Sequence, residues 1–321
     1  MAKYRNELPQ LSGDIFLTDG GIETSLIFHE GLELPHFAAF HLLKDKKGEA
    51  ALRKYFRTYA GIARDYEVGF ILEAPTWRAN PDWFMKLGYS DNAVVGVNRQ
   101  SIALLRDIRN EFENEKTKMV SGCVGPRGDG YIPAEVMSAA EAQRYHIKQI
   151  GAFSDAGADM VTAITMNYVE EAIGISRAAK SFDMPVAISF TVETDGKLPT
   201  GQTLKDAIEK VDEATDNAPV YYMINCAHPT HFESTLAAGE PWLERIRGLR
   251  TNASTKSHAE LNESETLDVG NPVELGRQHS QLLSRSKNLN VLGGCCGTDH
   301  RHVEEICKSV LRHKSRSTSR V

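Results

Sequence analysis

Cysteine is scarce in this chain of 321 residues, with five positions: Cys123, Cys226, Cys295, Cys296 and Cys307. An odd, clustered set excludes the disulfide framework of a small secreted protein. Long apolar runs are missing too. No stretch approaches the roughly 18 apolar residues of a spanning helix, and "MAKYRNELPQLSGD" at the start lacks the apolar core of an export signal. Positive charge is not in excess. The 37 Lys and Arg against 43 Asp and Glu give a net charge of −6, which argues against nucleic acid or an anionic membrane as partner. These absences predict a protein of the reducing cytoplasm. Heptads and exposed apolar stripes are also lacking, so the oligomeric state is not readable.

What the chain does have is alternation. Short apolar runs, each ending in polar or glycine-rich sequence, are followed by longer stretches with helical spacing. "DIFLTDGG", "VGFILEAPT", "KMVSGCVGP", "DMVTAITMN", "MPVAISFTV", "PVYYMINCAHP", "RGLRTNAS" and "NVLGGCC" read as buried strands. Between the first two, Leu52, Tyr55, Phe56, Tyr59 and Ile62 mark one face of a helix. Ser138 and Glu141 form a capping box ahead of another. About eight such units without a linker predict a single-domain (β/α)8 TIM barrel over residues 1–312, with 313–321 a solvated basic tail. An open doubly wound sheet is the alternative architecture.

In such a barrel, chemistry sits where the strands end. Cys226 ends the sixth run and the Cys295–Cys296 pair ends the eighth, so three sulfurs can converge at the mouth. Three thiolates with one open position suit a catalytic zinc ion. Gly293, Gly294 and Gly297 allow the tight backbone path that adjacent ligands require. Other readings stay open at this point. Cys123 and Cys307 fit small buried apolar residues, Cys295 and Cys296 are able to form a vicinal redox disulfide, and the barrel could be a non-catalytic zinc module.

"INCAHP" followed far downstream by "GGCCGT" resembles the homocysteine S-methyltransferase family, zinc-dependent (β/α)8 barrels that methylate a thiol. "LTDGGIETSL", "GCVGPRGDGY", "AISFT" and the Asn of "RTNAS" are similar to other segments of that family, so the resemblance covers nearly the whole chain. It implies that Cys226, Cys295 and Cys296 bind Zn2+ and that the substrate thiol is the fourth ligand. It also implies that Asp19, with Gly20 and Gly21, holds the amino-acid part of homocysteine. Asn225, Asn252 and Thr165 are further candidates for contact with substrate or the metal loop, and Thr191 for the pocket lining. His228, His231, His300 and His302 are expected to be loop or surface residues.

The chain also departs from the family. The fourth strand carries Ile164 where an acid that binds the substrate ammonium is usual, and the second strand carries Glu73, followed by Arg78 in place of a glutamine. Glu73 is therefore expected to substitute for the missing acid, paired with the substrate or with Arg78. The methyl donor implied is a sulfonium, S-methylmethionine or S-adenosylmethionine. The alternatives are betaine, with Trp77, Trp83 and Tyr131 as a possible aromatic cage, or a different thiol or selenol acceptor.

Overall fold

The structure, a computed structural model, describes residues 2–318 except 113–116, 134–135, 238 and 265. Eight parallel strands close into a barrel in chain order. They are β1 (Phe16–Leu17), β2 (Gly69–Glu73), β3 (Lys118–Val124), β4 (Met160–Met166), β5 (Val186–Thr191), β6 (Pro219–Asn225), β7 (Ile246–Thr251) and β8 (Val291–Gly294). Closure rests on β1 pairing with β8, Phe16 opposite Val291. That pairing rules out the open sheet. The Ser138–Glu141 capping box is present on the helix Ala139–Ala156. The polar stretch after β7, read from sequence only as loop, contains a short helix, His258–Asn262, capped by Ser257 and Glu260.

Every strand is buried on both faces, which is why the strands read as unbroken apolar runs. The two faces nevertheless differ. Leu17, Phe70, Leu72, Val120, Val161, Ile188, Ile224 and Leu292 belong to the large cluster shared with the surrounding helices, including Leu52, Phe56 and Tyr59 of Lys46–Asp65. Residues of opposite parity, among them Phe16, Ile71, Met119, Met160, Tyr221 and Val291, form a separate apolar cluster. These fill the lumen near its floor. Two residues further along the same inward rows, the lumen turns polar at Glu73, Ser121, Thr162 and Ser189. The hydroxyls of Ser121 and Thr162 are 2.7 Å apart, and Thr162 donates to Glu73 at 2.7 Å. Strands β2 and β4 are not neighbours, so that last bond crosses the lumen.

The aperiodic N-terminal segment closes the floor. Its turn Pro9–Ser12 puts the buried Gln10 amide 3.4 Å from the Tyr221 hydroxyl, and Asn290 donates to the Gln10 carbonyl at 2.7 Å. Asp159, at the foot of β4, ties this segment down. Its carboxylate accepts from the backbone N–H of Lys3 (2.6 Å), Tyr4 (2.9 Å) and Val120 (2.9 Å), and from Arg109 (3.0 Å). At the other terminus, the last helix runs His300–Thr318 and takes in most of the basic tail. Residues 319–321 lie outside the described residues.

Asp159→Asn places an amide among four donors and removes the countercharge of buried Arg109. The expected loss of unfolding free energy is about 3 kcal/mol, read from the denaturant midpoint. A change under roughly 1 kcal/mol would show that this end of the barrel holds without Asp159.

Candidate metal and substrate site

The three cysteines meet because β7 holds both of their segments. Cys226 donates its N–H to the Arg250 carbonyl at 3.1 Å, and Cys295 donates to Thr251 at 2.8 Å. Ala253, just past β7, donates to the Cys296 carbonyl at 3.0 Å. The sulfurs of Cys226, Cys295 and Cys296 all lie within 4.8 Å of one another. The Cys226 and Cys295 sulfurs lie against one another, with Cα atoms 5.4 Å apart, while Cys296 faces the mouth. The vicinal pairing of Cys295 with Cys296 is not formed. Of the flanking glycines only Gly297 is left-handed, at φ +78°; Gly293 is needed because a Cβ there would collide with Thr18. Cys123 and Cys307 are buried, as expected, and neither joins the sulfur group; Cys307 packs in the large apolar cluster, while Cys123 lies close enough to Glu73 and Arg250 to feel their charges.

Two residues beside the cluster hold left-handed backbone without being glycine, Thr165 at φ +65° and Cys226 at φ +53°. Such positions cost free energy and persist only where their surroundings dictate them. Asn225 is what dictates them. Its Oδ1 accepts from the Thr165 N–H (2.9 Å) and the Ser189 hydroxyl (2.6 Å). Its Nδ2 donates to the Thr165 hydroxyl (2.9 Å) and to the Cys226 sulfur (3.1 Å). On the far side, His258 donates to the Cys226 carbonyl at 2.6 Å and stacks on Tyr131, whose hydroxyl is 3.3 Å from the Cys296 sulfur. His258 gave no sign in the sequence, because its helix follows an irregular loop.

Below the sulfurs sits a buried charge cluster that the sequence reading had only half assembled. Glu73 does reach the lumen, but its partner is Arg250 at 3.4 Å, not Arg78. The same guanidinium bonds Asp19 at 2.5 Å and the Gly294 carbonyl at 3.2 Å. Asp19 also accepts from the Tyr55 hydroxyl at 2.9 Å. Burial raises the pKa of Asp19 against the pull of Arg250, and it pushes Glu73 up to about 7. Burial disfavours the charge on Arg250, but Asp19 and Glu73 outweigh it and hold that guanidinium protonated. Arg250 lay in the weakest strand pattern, flanked by other cations, and nothing in that pattern marked it as inward-facing.

The remaining candidates fall as follows. Gly21 spends its N–H on Thr298, 3.1 Å from both carbonyl and hydroxyl, and the Gly20 carbonyl accepts from Tyr55 at 3.0 Å. Asn252 and Thr191 are buried at strand ends, and neither the Asn252 side-chain oxygen nor the Thr191 hydroxyl has a partner among the described residues. Ile164 is buried, and its carbonyl accepts from the Trp77 indole N–H at 3.2 Å. His228 caps the helix Pro229–Leu236 and, with burial lowering its pKa to about 4, is a neutral structural residue. His302 is a correction. Rather than surface-exposed it is fully buried, donating to the Val269 carbonyl at 2.8 Å. The rings of Trp77 and Trp83 are already stacked by Arg78, which leaves them poorly placed as a cage for a quaternary ammonium.

Comparison with known proteins matches the chain to the family model described as homocysteine S-methyltransferase over residues 16–310. A curated relative, homocysteine S-methyltransferase YbgG of Bacillus subtilis (strain 168), is 24% identical over 251 residues, covering 72% of this chain and 76% of the relative. Two crystal structures of the homocysteine methyltransferase MmuM from Escherichia coli share the fold. The oxidized form gives a TM-score of 0.73 at 20% identity, covering 94% of this chain and 96% of that one. The metallated form gives 0.69 at 19% identity, covering 92% and 96%.

Arg250→Met would leave two carboxylates facing each other across a dry lumen, and is expected to cost about 3 to 5 kcal/mol of stability. Adding Glu73→Gln should restore part of that loss, and strictly additive losses would refute the shared ion pair. Glu73 alone gives a pH signature. Folded, it keeps its proton up to about pH 7; unfolded, it releases it near 4.5. Between those values the unfolded state binds fewer protons, so stability falls as pH rises, by up to about 1.4 kcal/mol per pH unit. In Glu73→Gln the slope should become shallower by that amount, the remainder coming from Glu23 and Asp19, which burial also raises. An identical pH profile for parent and variant would place Glu73 at an ordinary pKa.

Proposed function

The chain belongs to the homocysteine S-methyltransferase family, and from that membership we propose that it methylates the thiol of homocysteine, giving methionine. We take the donor to be a sulfonium, S-methylmethionine or S-adenosylmethionine. The observation that carries this reading is the convergence of Cys226, Cys295 and Cys296 within 4.8 Å at the strand ends. Three sulfurs with one side open match the donor set of a catalytic zinc ion, and these residues would hold it. Among the described residues no fourth His, Cys, Asp or Glu joins the group, which speaks against a closed structural site. The ion and any disulfide between two of these cysteines are alternatives, because a disulfide sulfur is not a thiolate ligand. The reading therefore applies to reduced protein, in keeping with a reducing cytoplasmic setting. No helix among the described residues is long and apolar enough to cross a membrane.

Zinc bound there would supply the means to keep the substrate thiol deprotonated at neutral pH. The chain's own residues position and balance charge. Asn225 and Tyr131 hold the Cys226 and Cys296 sulfurs by hydrogen bonds. Asp19 and Glu73, when both ionised, carry two negative charges against the single positive charge of Arg250, so the cluster has room for one ammonium group. Glu73 thereby takes the part that Ile164, an apolar residue, is unable to play. Gly20, Gly21, Thr165 and Asn252 lie at the strand ends around this cluster and complete the acceptor pocket. The reaction needs no general acid. The thiol gives its proton to solvent, the sulfur–methyl bond forms as the donor's carbon–sulfur bond breaks, and the donor leaves as a neutral thioether.

Reduced protein loaded with zinc should form methionine from homocysteine and one sulfonium donor, and none from betaine. Zinc should protect Cys226, Cys295 and Cys296 from alkylation, and Cys296→Ser should abolish both protection and turnover. Equal alkylation with and without zinc would end the metal reading. Bound zinc without methionine would mean a different acceptor.

A further inference from the structure

Arg78 lies just beyond β2 and is only 5% exposed; Asp129 and Glu23 are near enough for their charges to favour its protonation, but among the described residues no carboxylate forms a direct ion pair with it. Its guanidinium carbon sits 4.0 Å from the centroid of the Trp77 ring and 3.8 Å from that of Trp83. One nitrogen, Nη1, donates to the Gly128 carbonyl at 2.7 Å, while the buried Nε has no partner at all. Indole faces stabilise a cation, but they do not replace the in-plane hydrogen bonds that a guanidinium forms. Burial works against the charge, lowering the pKa to about 10, so the group stays protonated at neutral pH and its desolvation is poorly compensated.

Its location gives that incomplete pairing a direction. Trp77 bonds the Ile164 carbonyl at 3.2 Å, and the next residue is Thr165, whose hydroxyl is 3.8 Å from the Cys226 sulfur. The loop that accepts from Arg78 at Gly128 continues to Tyr131, 3.3 Å from the Cys296 sulfur. Arg78 thus lies on the wall formed by the β2 and β3 loops, the same loops that carry Trp77 and Tyr131 beside the sulfur cluster. The lumen group of Asp19, Glu73 and Arg250 has its charges paired internally and an excess of carboxylate, which suits an ammonium and not an anion. A zwitterionic amino acid needs both.

We infer that Arg78 is a specificity residue that binds the α-carboxylate of the amino-acid substrate through the donors left free on its guanidinium. The inference rests on the methyl-transfer reading above. Homocysteine and a sulfonium donor derived from methionine both carry that group, so the test must tell acceptor from donor.

The experiment compares zinc-loaded parent, Arg78→Gln and Arg78→Lys, using homocysteine and 3-aminopropane-1-thiol, which is homocysteine without its carboxylate. Arg78→Gln should raise KM for homocysteine roughly 10- to 100-fold, as expected for a lost charge-assisted bond. Its kcat should change little, the carboxylate-free thiol should be unaffected, and Arg78→Lys should recover part of the loss. A rise confined to the KM of the donor would assign the carboxylate to the donor. Equal losses on both thiols with normal donor KM, or no change in either KM, would overturn the inference and leave Arg78 a packing residue. Calorimetric titration of homocysteine, and separately of S-methylmethionine, into the same proteins keeps the two readings apart. Binding weakened by Arg78→Gln in a parent that never turns over would retain the carboxylate site and reject methyl transfer. Equal binding in parent and variant would reject Arg78.

Discussion

One side chain, Arg250, connects most of what the site needs. Its guanidinium spans the lumen to Asp19 on one side and Glu73 on the other, and also bonds the Gly294 carbonyl next to Cys295. Its backbone carbonyl takes the N–H of Cys226. A single residue of β7 therefore touches both cysteine segments and both buried acids. Such a cluster is not a cheap source of stability, since desolvating three charges offsets much of their attraction. Its consequence is geometric: a one-residue shift of β7 would break the acid pairs and separate the sulfurs together.

The cluster is tolerable because of how the lumen is filled. Near the floor the inward rows are apolar and plugged by Gln10 and its neighbours; toward the mouth the same rows become Ser121, Thr162, Ser189 and Asn225. Glu73 sits where the change occurs. It receives a hydrogen bond from Thr162 and an ion pair from Arg250, but burial still dominates and its proton is held up to about pH 7. A second cation brought to this point would favour the ionised carboxylate further.

Around the mouth, strain and stacking do complementary jobs. Asn225 bonds to Thr165 and Cys226, both in left-handed backbone, and the Cys226 sulfur lies beside those of Cys295 and Cys296 on the rim next to β7. Trp77 and Arg78 build the facing wall from the loop after β2, anchored to the carbonyls of Ile164 and Gly128. The chain thereby presents sulfur, carboxylate and guanidinium on three sides of one opening.

The barrel and its sulfur cluster were legible in the sequence because both depend on local pattern. Strands buried on two faces read as apolar runs, their alternation with helices implies parallel pairing, and strand ends in such a barrel share one rim. That logic places Asp19, Glu73, Cys226, Cys295 and Cys296 together before any coordinates. It does not pair them. Whether Glu73 meets Arg78, five residues beyond the end of its strand, or Arg250, on the far side of the lumen, depends on strand parity and barrel closure. Local sequence carries neither. The same limit hid His258 and His302, whose burial follows from loop packing, and the sandwich of Arg78 between two indoles. The sequence alone determined which residue types reach the rim; only the tertiary structure decided which charges neutralise one another there and which are left for a ligand, because that depends on distances across the barrel and not along the chain.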